Sequence, residues 1–182
     1  GLVDRTRFAI STEETRYYLN GIFMHTTSSE GNNVMRTVAT DGHRLARVEM
    51  PVPQGAAGMP GIIIPRKTVT ELRKLIDEIT DDIDIALSET SVRFAFNNAV
   101  LTSKLIDGTF PDYERVIPTG NDKSLNVDCR SFAEAVDRVA TISTEKSRAV
   151  KLAVAGNNLV LTASSPDNGT AREEISVDYD AA

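Results

Sequence analysis

One short pattern occurs twice in this chain, and that duplication constrains the fold more than any other feature. VDRTRFAISTEETR occupies 3–16 and VDRVATISTEKSR occupies 136–148. Val-Asp-Arg matches Val-Asp-Arg, Ile-Ser-Thr-Glu matches Ile-Ser-Thr-Glu, and each copy ends on an arginine three residues past its glutamate. Ile10 and Ile142 stand 132 positions apart. Solenoid repeats recur every 20 to 50 residues or so, so this offset implies a duplicated domain rather than a stacked array.

The second copy is the fuller template. Ser131 is expected to N-cap a helix, with Glu134 as its capping-box partner. Phe132, Ala135, Val136, Val139, Ala140 and Ile142 then follow helical spacing. AVKLAVA (149–155) alternates as a strand, Asn157-Asn158 reads as a turn, and LVLTA (159–163) as the returning strand. A polar loop leads into TAREEISVDYD, read as one more strand.

The first copy opens inside the equivalent helix, about Gly1 to Ala9. YYLNGIFMHTT, VMRTVAT and HRLARVEM follow as strands, with turns at SSEGNN and at Asp41-Gly42. After a Pro/Gly-rich loop come the strand IIIP and a helix, RKTVTELRKLIDEI, on which Val69, Leu72, Leu75, Ile76 and Ile79 share a face. IDIAL, SVRFAF and AVLTSKLI complete this half, the last two joined at Asn97-Asn98. Strands without βαβ spacing predict an α+β fold with antiparallel sheets and helices on one face. DGTFPDYERVIPTGND (107–122) reads as a linker. A chain holding most of one repeat and half of another is expected to be a fragment of a longer polypeptide.

Composition narrows the function. The chain has 182 residues, 41% hydrophobic and 25% charged, which is ordinary globular composition. No apolar run reaches membrane-spanning length, and no basic, apolar leader opens the sequence, so a soluble intracellular domain is expected. The single cysteine, Cys129, excludes an intramolecular disulfide and a cysteine-built zinc site within this chain. A net charge of −6 argues against a generally basic nucleic-acid binder but leaves room for a local basic stripe.

Two candidate chemistries follow. Asp41 and His43 lie two residues apart in TDGHRLA, which admits a hydrolase; but no nucleophile signature accompanies them, and a turn with exposed His43 and Arg44 is the plainer reading. Arg66, Arg73 and Lys74, with Lys67 beside them, form a basic helix face, and Arg5, Arg7, Arg138 and Lys146 decorate the two repeat helices. Glu71, Asp77 and Glu78 compensate locally. Helices of several repeats lining one surface would give a weak, sequence-independent phosphate track. Tyr17 and Tyr18, read as strand residues, would point to opposite faces, one available to stack on a base.

Four stretches carry a resemblance: RYYLNGIFMHT (16–26), RTVATDGHRLA (36–46), IPRK (64–67) and LTSKLIDGTFPDYERVIP (101–118). In order and spacing they resemble the bacterial DNA polymerase III beta subunits, the sliding clamps. The resemblance implies DNA-clamp repeats, with residues 1–119 as an N-terminally truncated middle domain and 120–182 as the first half of a C-terminal domain. It implies a non-enzymatic replication processivity factor of the bacterial cytoplasm, without cofactor, metal or membrane. Two full-length protomers would close head-to-tail into a ring around duplex DNA, with helices lining the hole. Replicative DNA polymerase, clamp loader and repair proteins would insert short peptide motifs into a pocket between the middle and C-terminal domains. The matching pocket residues are Arg16, Leu19, Thr40, Gly42, His43, Arg44, Leu45, Pro111, Arg115 and Val116. Leu19, Leu45, Pro111 and Val116 would floor it; Arg16, His43, Arg44 and Arg115 would rim it. The resemblance makes Tyr17, Tyr18, Arg66 and Lys67 the DNA-binding candidates. A peptide-binding module without a DNA role is the other alternative to the hydrolase.

Overall fold

The structure, a computed structural model, describes residues 1–77, 79, 81–97, 99–143 and 149–179. The expectations for Glu78, Asn98, Lys146 and the repeat residues 144–148 lie outside these. The chain divides into two compact units, Gly1–Val116 and Ile117–Ala182.

In the first unit, α1 (Leu2–Thr6) runs into a 3-10 turn at Arg7–Ala9. Three long strands follow, β1 (Gly21–Ser29), β2 (Asn32–Thr40) and β3 (Leu45–Pro51), then β4 (Ile62–Pro65). They form one antiparallel sheet in the order β3-β2-β1-β4. α2 (Arg66–Leu75) starts directly after Pro65, and β5 (Asp84–Leu87), β6 (Ser91–Phe96) and β7 (Ala99–Lys104) make a second antiparallel sheet.

Strand periodicity sorts the long sheet into two faces. Ile22, Met24, Met35, Ile62 and Ile64 point inward, where Val69 and Leu72 of α2 and Val92, Phe94 and Phe96 of β6 join them. Burying Val69 and Leu72 removes two branched side chains from water, worth about 2 kcal/mol each. Leu75, expected on the same stripe, is exposed because the helix ends there.

The opposite face carries Phe23, His25, Arg36, Val38, Thr40, Leu45 and Glu49, as the register pairs His25 with Arg36, Arg36 with Glu49, and Thr40 with Leu45. Here the linker expectation needs correction. The segment after β7 folds back on this face. Ile106 N–H donates to the Ile63 carbonyl at 3.0 Å, and Phe110 stacks on Phe23 at 4.9 Å. Phe110 and Tyr113 are buried, and Tyr113–Val116 is a 3-10 turn. Two aromatics that can be buried on a sheet face outweigh the chain-breaking prolines around them.

The second unit contains β8 (Leu125–Asn126), α3 (Cys129–Ala140), β9 (Lys151–Ala155), β10 (Asn158–Ser165), β11 (Gly169–Ser176) and β12 (Asp178–Tyr179). Ala135 and Val139 pack on Leu159, Leu161 and Ala163. Helix followed by a three-strand antiparallel meander, β11-β10-β9, repeats the α1-β1-β2-β3 order of the first unit. The duplicated sequence pattern therefore corresponds to a duplicated piece of fold.

Three further expectations change. The cap of α3 is Asp128, whose Oδ1 accepts from the Ser131 N–H at 2.8 Å; Ser131 is three residues inside the cap, and Glu134 pairs with Arg130 instead. The β9–β10 turn is Gly156-Asn157, since Ala155 already faces Asn158. TAREEISVDYD divides at Val177: its buried side chain and its N–H bond to the Asn157 carbonyl send β12 to pair with β8 rather than continue β11.

Candidate functional site

The loop between β2 and β3 is short, Asp41 to Arg44, and its own side chains shape it. Asp41 Oδ1 accepts from the His43 and Arg44 N–H groups at 3.0 Å each, and Oδ2 accepts from Arg44 Nε at 3.1 Å. Thr40 Oγ1 donates to the Arg44 carbonyl at 2.8 Å and accepts from the Gly42 N–H at 3.1 Å. Partial burial pushes the Asp41 pKa up, but these amide bonds and the Arg44 guanidinium outweigh it and hold the group below its ordinary value. Asp41 is thus committed to loop geometry and a cation, and it accepts from the His43 backbone rather than the ring. That arrangement gives the hydrolase reading no support.

Arg16 reaches this loop from the segment before β1. Its guanidinium is gripped by Glu13 at 2.7 Å through two bonds and lies against Gly42. Gly42 has φ +88, a left-handed backbone at the place where the arginine comes closest. Arg44 stands 5.5 Å from the ring of Phe8, an exposed aromatic. Leu19 is buried at 4% exposure. His43 and Arg44 are exposed, and Leu45 is half-buried opposite Thr40.

Pro111, Arg115 and Val116 lie on the returning segment, which covers the same sheet face that carries Thr40 and Leu45. Arg36, buried at 3% exposure, ties that segment down. It donates to the Tyr113 hydroxyl at 2.7 Å, to Glu114 at 2.6 Å and to Glu49 at 2.8 Å. His25 Nε2 lies 2.9 Å from the same hydroxyl. Arg115 is exposed and paired with Asp112 at 2.7 Å; Val116 is 68% exposed. The contacts therefore join Arg16, Gly42, Thr40 and Arg44 directly, while Pro111, Arg115 and Val116 share only the sheet face with them.

Tyr17 and Tyr18 are in a 3-10 turn, Tyr17–Leu19, and not on a strand. Leu19 N–H donates to the Arg16 carbonyl and Asn20 N–H to the Tyr17 carbonyl, so β1 begins only at Gly21, opposite Pro65. The two rings meet edge to face at 5.7 Å, with Tyr17 exposed and Tyr18 half-buried. Tyr17, Asn20, Arg66, Lys67 and Thr70 line one shallow hollow. Arg66 and Lys67 are exposed and make no ion pair among the described residues. Arg73 is held by Asp4 and Asp77, and Lys74 by Glu71, so the basic helix face reduces to its first turn. Arg138 is likewise engaged, by Glu173 at 2.6 Å.

Comparison with known proteins decides the family. Residues 1–112 match the model of the DNA polymerase III beta subunit central domain, and 114–182 that of its C-terminal domain. The chain belongs to the DNA polymerase III beta subunit family. It is 58% identical over 179 residues to the beta sliding clamp of Caulobacter vibrioides and 39% identical over 181 residues to that of Escherichia coli. These alignments take in 98% and 100% of the chain and 48% of each relative. The Bartonella birtlesii sliding clamp bound to griselimycin superposes with a TM-score of 0.93 at 54% identity, covering all of this chain and 49% of that one. A Caulobacter crescentus beta sliding clamp gives 0.94 at 58% identity, covering 99% and 48%. The chain thus spans about half the length of the beta subunits it matches. Its α+β architecture of antiparallel sheets is that of a clamp.

Sequence reasoning missed Phe8, Glu13 and the Arg36 cluster. Arg36 had a signal: it is a charged residue between Met35 and Thr37 in a stretch that is otherwise apolar or β-branched.

Proposed function

We propose that this chain is the partner-binding part of a bacterial replication sliding clamp, acting by tethering rather than catalysis. Residues 1–119 are assigned to the middle domain and 120–182 to the first half of the C-terminal domain. In the full-length protein, a head-to-tail homodimer encircles duplex DNA in the bacterial cytoplasm. Replicative polymerase, clamp loader and repair proteins dock peptide motifs on Arg16, Leu19, Thr40, Gly42, His43, Arg44, Leu45, Pro111, Arg115 and Val116. Tyr17, Tyr18, Arg66 and Lys67 face the DNA.

One observation carries the reading: a cationic rim, Arg16 over Gly42 with Arg44 beside it, stands at the β2–β3 loop, and the segment covering the outer face of those strands carries the exposed Val116. Cationic donors around an apolar seat suit a short peptide with apolar side chains. The DNA assignment is supported by Arg66 and Lys67, exposed beside Tyr17 and without an ion pair among the described residues, on a body of net charge −6. Few cations give weak, salt-sensitive phosphate contact, which permits sliding.

The test is fluorescence anisotropy of a labelled peptide with adjacent Leu and Phe side chains. Arg44→Ala, an exposed position, should weaken binding about tenfold. Equal affinity for wild type and Arg44→Ala would remove the pocket assignment. The ring is tested separately: a protein of the relatives' full length carrying these residues should stay on nicked circular DNA and leave it on linearisation.

A further inference from the structure

Among the described residues of the first unit, the most heavily hydrogen-bonded buried side chain belongs to none of the assigned site residues. Arg36 sits in the middle of β2, with Glu49 beside it on β3 and His25 beside it on β1. Its guanidinium is satisfied by Glu49, Glu114 and the Tyr113 hydroxyl. Tyr113 accepts from Arg36, so its own proton is free to donate to His25 Nε2, 2.9 Å away. His25 Nδ1 lies 3.4 Å from the Thr26 carbonyl and donates to it, which leaves Nε2 as the acceptor. The bonds form one directed chain: Arg36 to Tyr113, Tyr113 to His25, His25 to Thr26.

That chain passes through Tyr113, the first residue of the 3-10 turn Tyr113–Val116. Beyond Glu114, which Arg36 holds at 2.6 Å, the turn has little holding it: Arg115 and Val116 are exposed, and among the described residues Arg115 pairs with Asp112 on the same segment alone. Among the described residues, no large apolar side chain is more exposed than Val116. Val116 lies two residues past the exposed Glu114 and three past the buried Tyr113, and it keeps its direction only if these two contacts with Arg36 fix the turn's orientation. Ring packing of Tyr113 against Phe110, at 6.4 Å, fixes depth; the hydroxyl fixes rotation.

We infer that Tyr113 is a positioning residue for partner binding: its hydroxyl, held between Arg36 and His25, sets the turn that presents Val116. The inference rests on the peptide-pocket reading above. It assigns Tyr113 no contact with the peptide; it acts through Val116.

The experiment uses this chain and the same Leu/Phe peptide. Tyr113→Phe keeps the ring and its packing and deletes only the hydroxyl. Loss of one anchoring hydrogen bond should weaken the peptide about fivefold. Val116→Ala should weaken it by itself, and in that background Tyr113→Phe should add less than about twofold, because the side chain it orients is gone. A merely structural role predicts the same factor in both backgrounds, and that result would overturn the inference. Hydrogen exchange gives a second readout that does not depend on the peptide. Amides of residues 114–116 should exchange faster in Tyr113→Phe while those of α2 do not change; unchanged exchange at 114–116 also overturns it. If Arg44→Ala weakens the peptide and Tyr113→Phe does not, the pocket stands and the positioning role falls. If neither variant weakens it, the pocket reading fails and takes this inference with it.

Discussion

The guanidinium of Arg16 occupies the space above Gly42: a Cβ built on Gly42 would stand 2.7 Å from Nη1. One residue precedes β1 and the other follows β2, so this approach links two loops that have no shared backbone ladder. Glu13 holds the arginine from the far side with two bonds of 2.7 Å. The rim is therefore a three-residue unit, Glu13-Arg16-Gly42, in which the carboxylate sets the resting place of the cation.

Gly42→Ala should destabilise the first unit by about 1–2 kcal/mol, because φ +88 is a left-handed backbone that a Cβ disfavours. The clash itself is with the far end of a long side chain, which can swing away. The urea midpoint should therefore fall by the same amount in an Arg16→Ala background. A cost that disappears there would assign the effect to the clash and not to the backbone.

Gly21→Ala is the opposite case. Its Cβ would stand 2.3 Å from the Ile64 carbonyl oxygen, and backbone paired in a ladder cannot step aside. The β1–β4 pairing should loosen at a cost of about 3 kcal/mol. Hydrogen exchange at the Ile62, Ile63 and Ile64 amides should rise in step. A loss below 1 kcal/mol or so, with protection intact, would count against this account.

The legible parts of the fold were those with a strong local period. β2, β3, β6 and α2 follow their apolar spacing closely, and the Val-Asp-Arg repeat located both helices that open a meander. The errors have local causes. The Tyr17-Tyr18 pair looks like a strand by composition, yet the turn bonds of Arg16 and Tyr17 come first. Phe110 and Tyr113 read as linker because prolines flank them, and no periodicity can announce which face they will cover. The same limit hid the Arg36 cluster: His25, Arg36, Glu49 and Tyr113 are spread over 89 positions and meet only once three strands are in register. Of the candidate site, the TDGH loop was legible as a turn, but the service Asp41 performs in it was not.

Asp128→Ala should lower the stability of the second unit at neutral pH, and Ser131→Ala should lower it less. The Ser131 N–H, which survives in the alanine variant, is the donor that Asp128 satisfies. The reverse ranking in thermal melts would restore Ser131 as the cap. Bonds from the Ser131 backbone and side chain hold the Asp128 pKa below its ordinary value. A lowered carboxylate contributes above its unfolded pKa and loses that contribution as pH falls through its folded pKa. The gap between wild type and Asp128→Ala should therefore close in strong acid.

Acid should also act through His25, in a higher pH range. Burial, assisted by the neighbouring Arg36 cation, pushes the His25 pKa down, against the Thr26 carbonyl and the Glu114 and Glu49 carboxylates. An unfolded histidine titrates near 6.5 or so, while the folded one titrates lower. Between those values the unfolded chain binds more protons, so stability rises with pH there. It is fully present above the unfolded value and reduced below the folded one. Protonation also gives Nε2 a hydrogen that opposes the one Tyr113 donates. Chemical denaturation of wild type should therefore give a higher midpoint at about pH 7.5 than at about pH 5, a window that lies above the ordinary carboxylate range. His25→Gln should flatten that difference, since the exposed His43 is the only other histidine. An undiminished slope in His25→Gln would show that the buried Arg36–Tyr113–His25 chain is not what the proton disrupts.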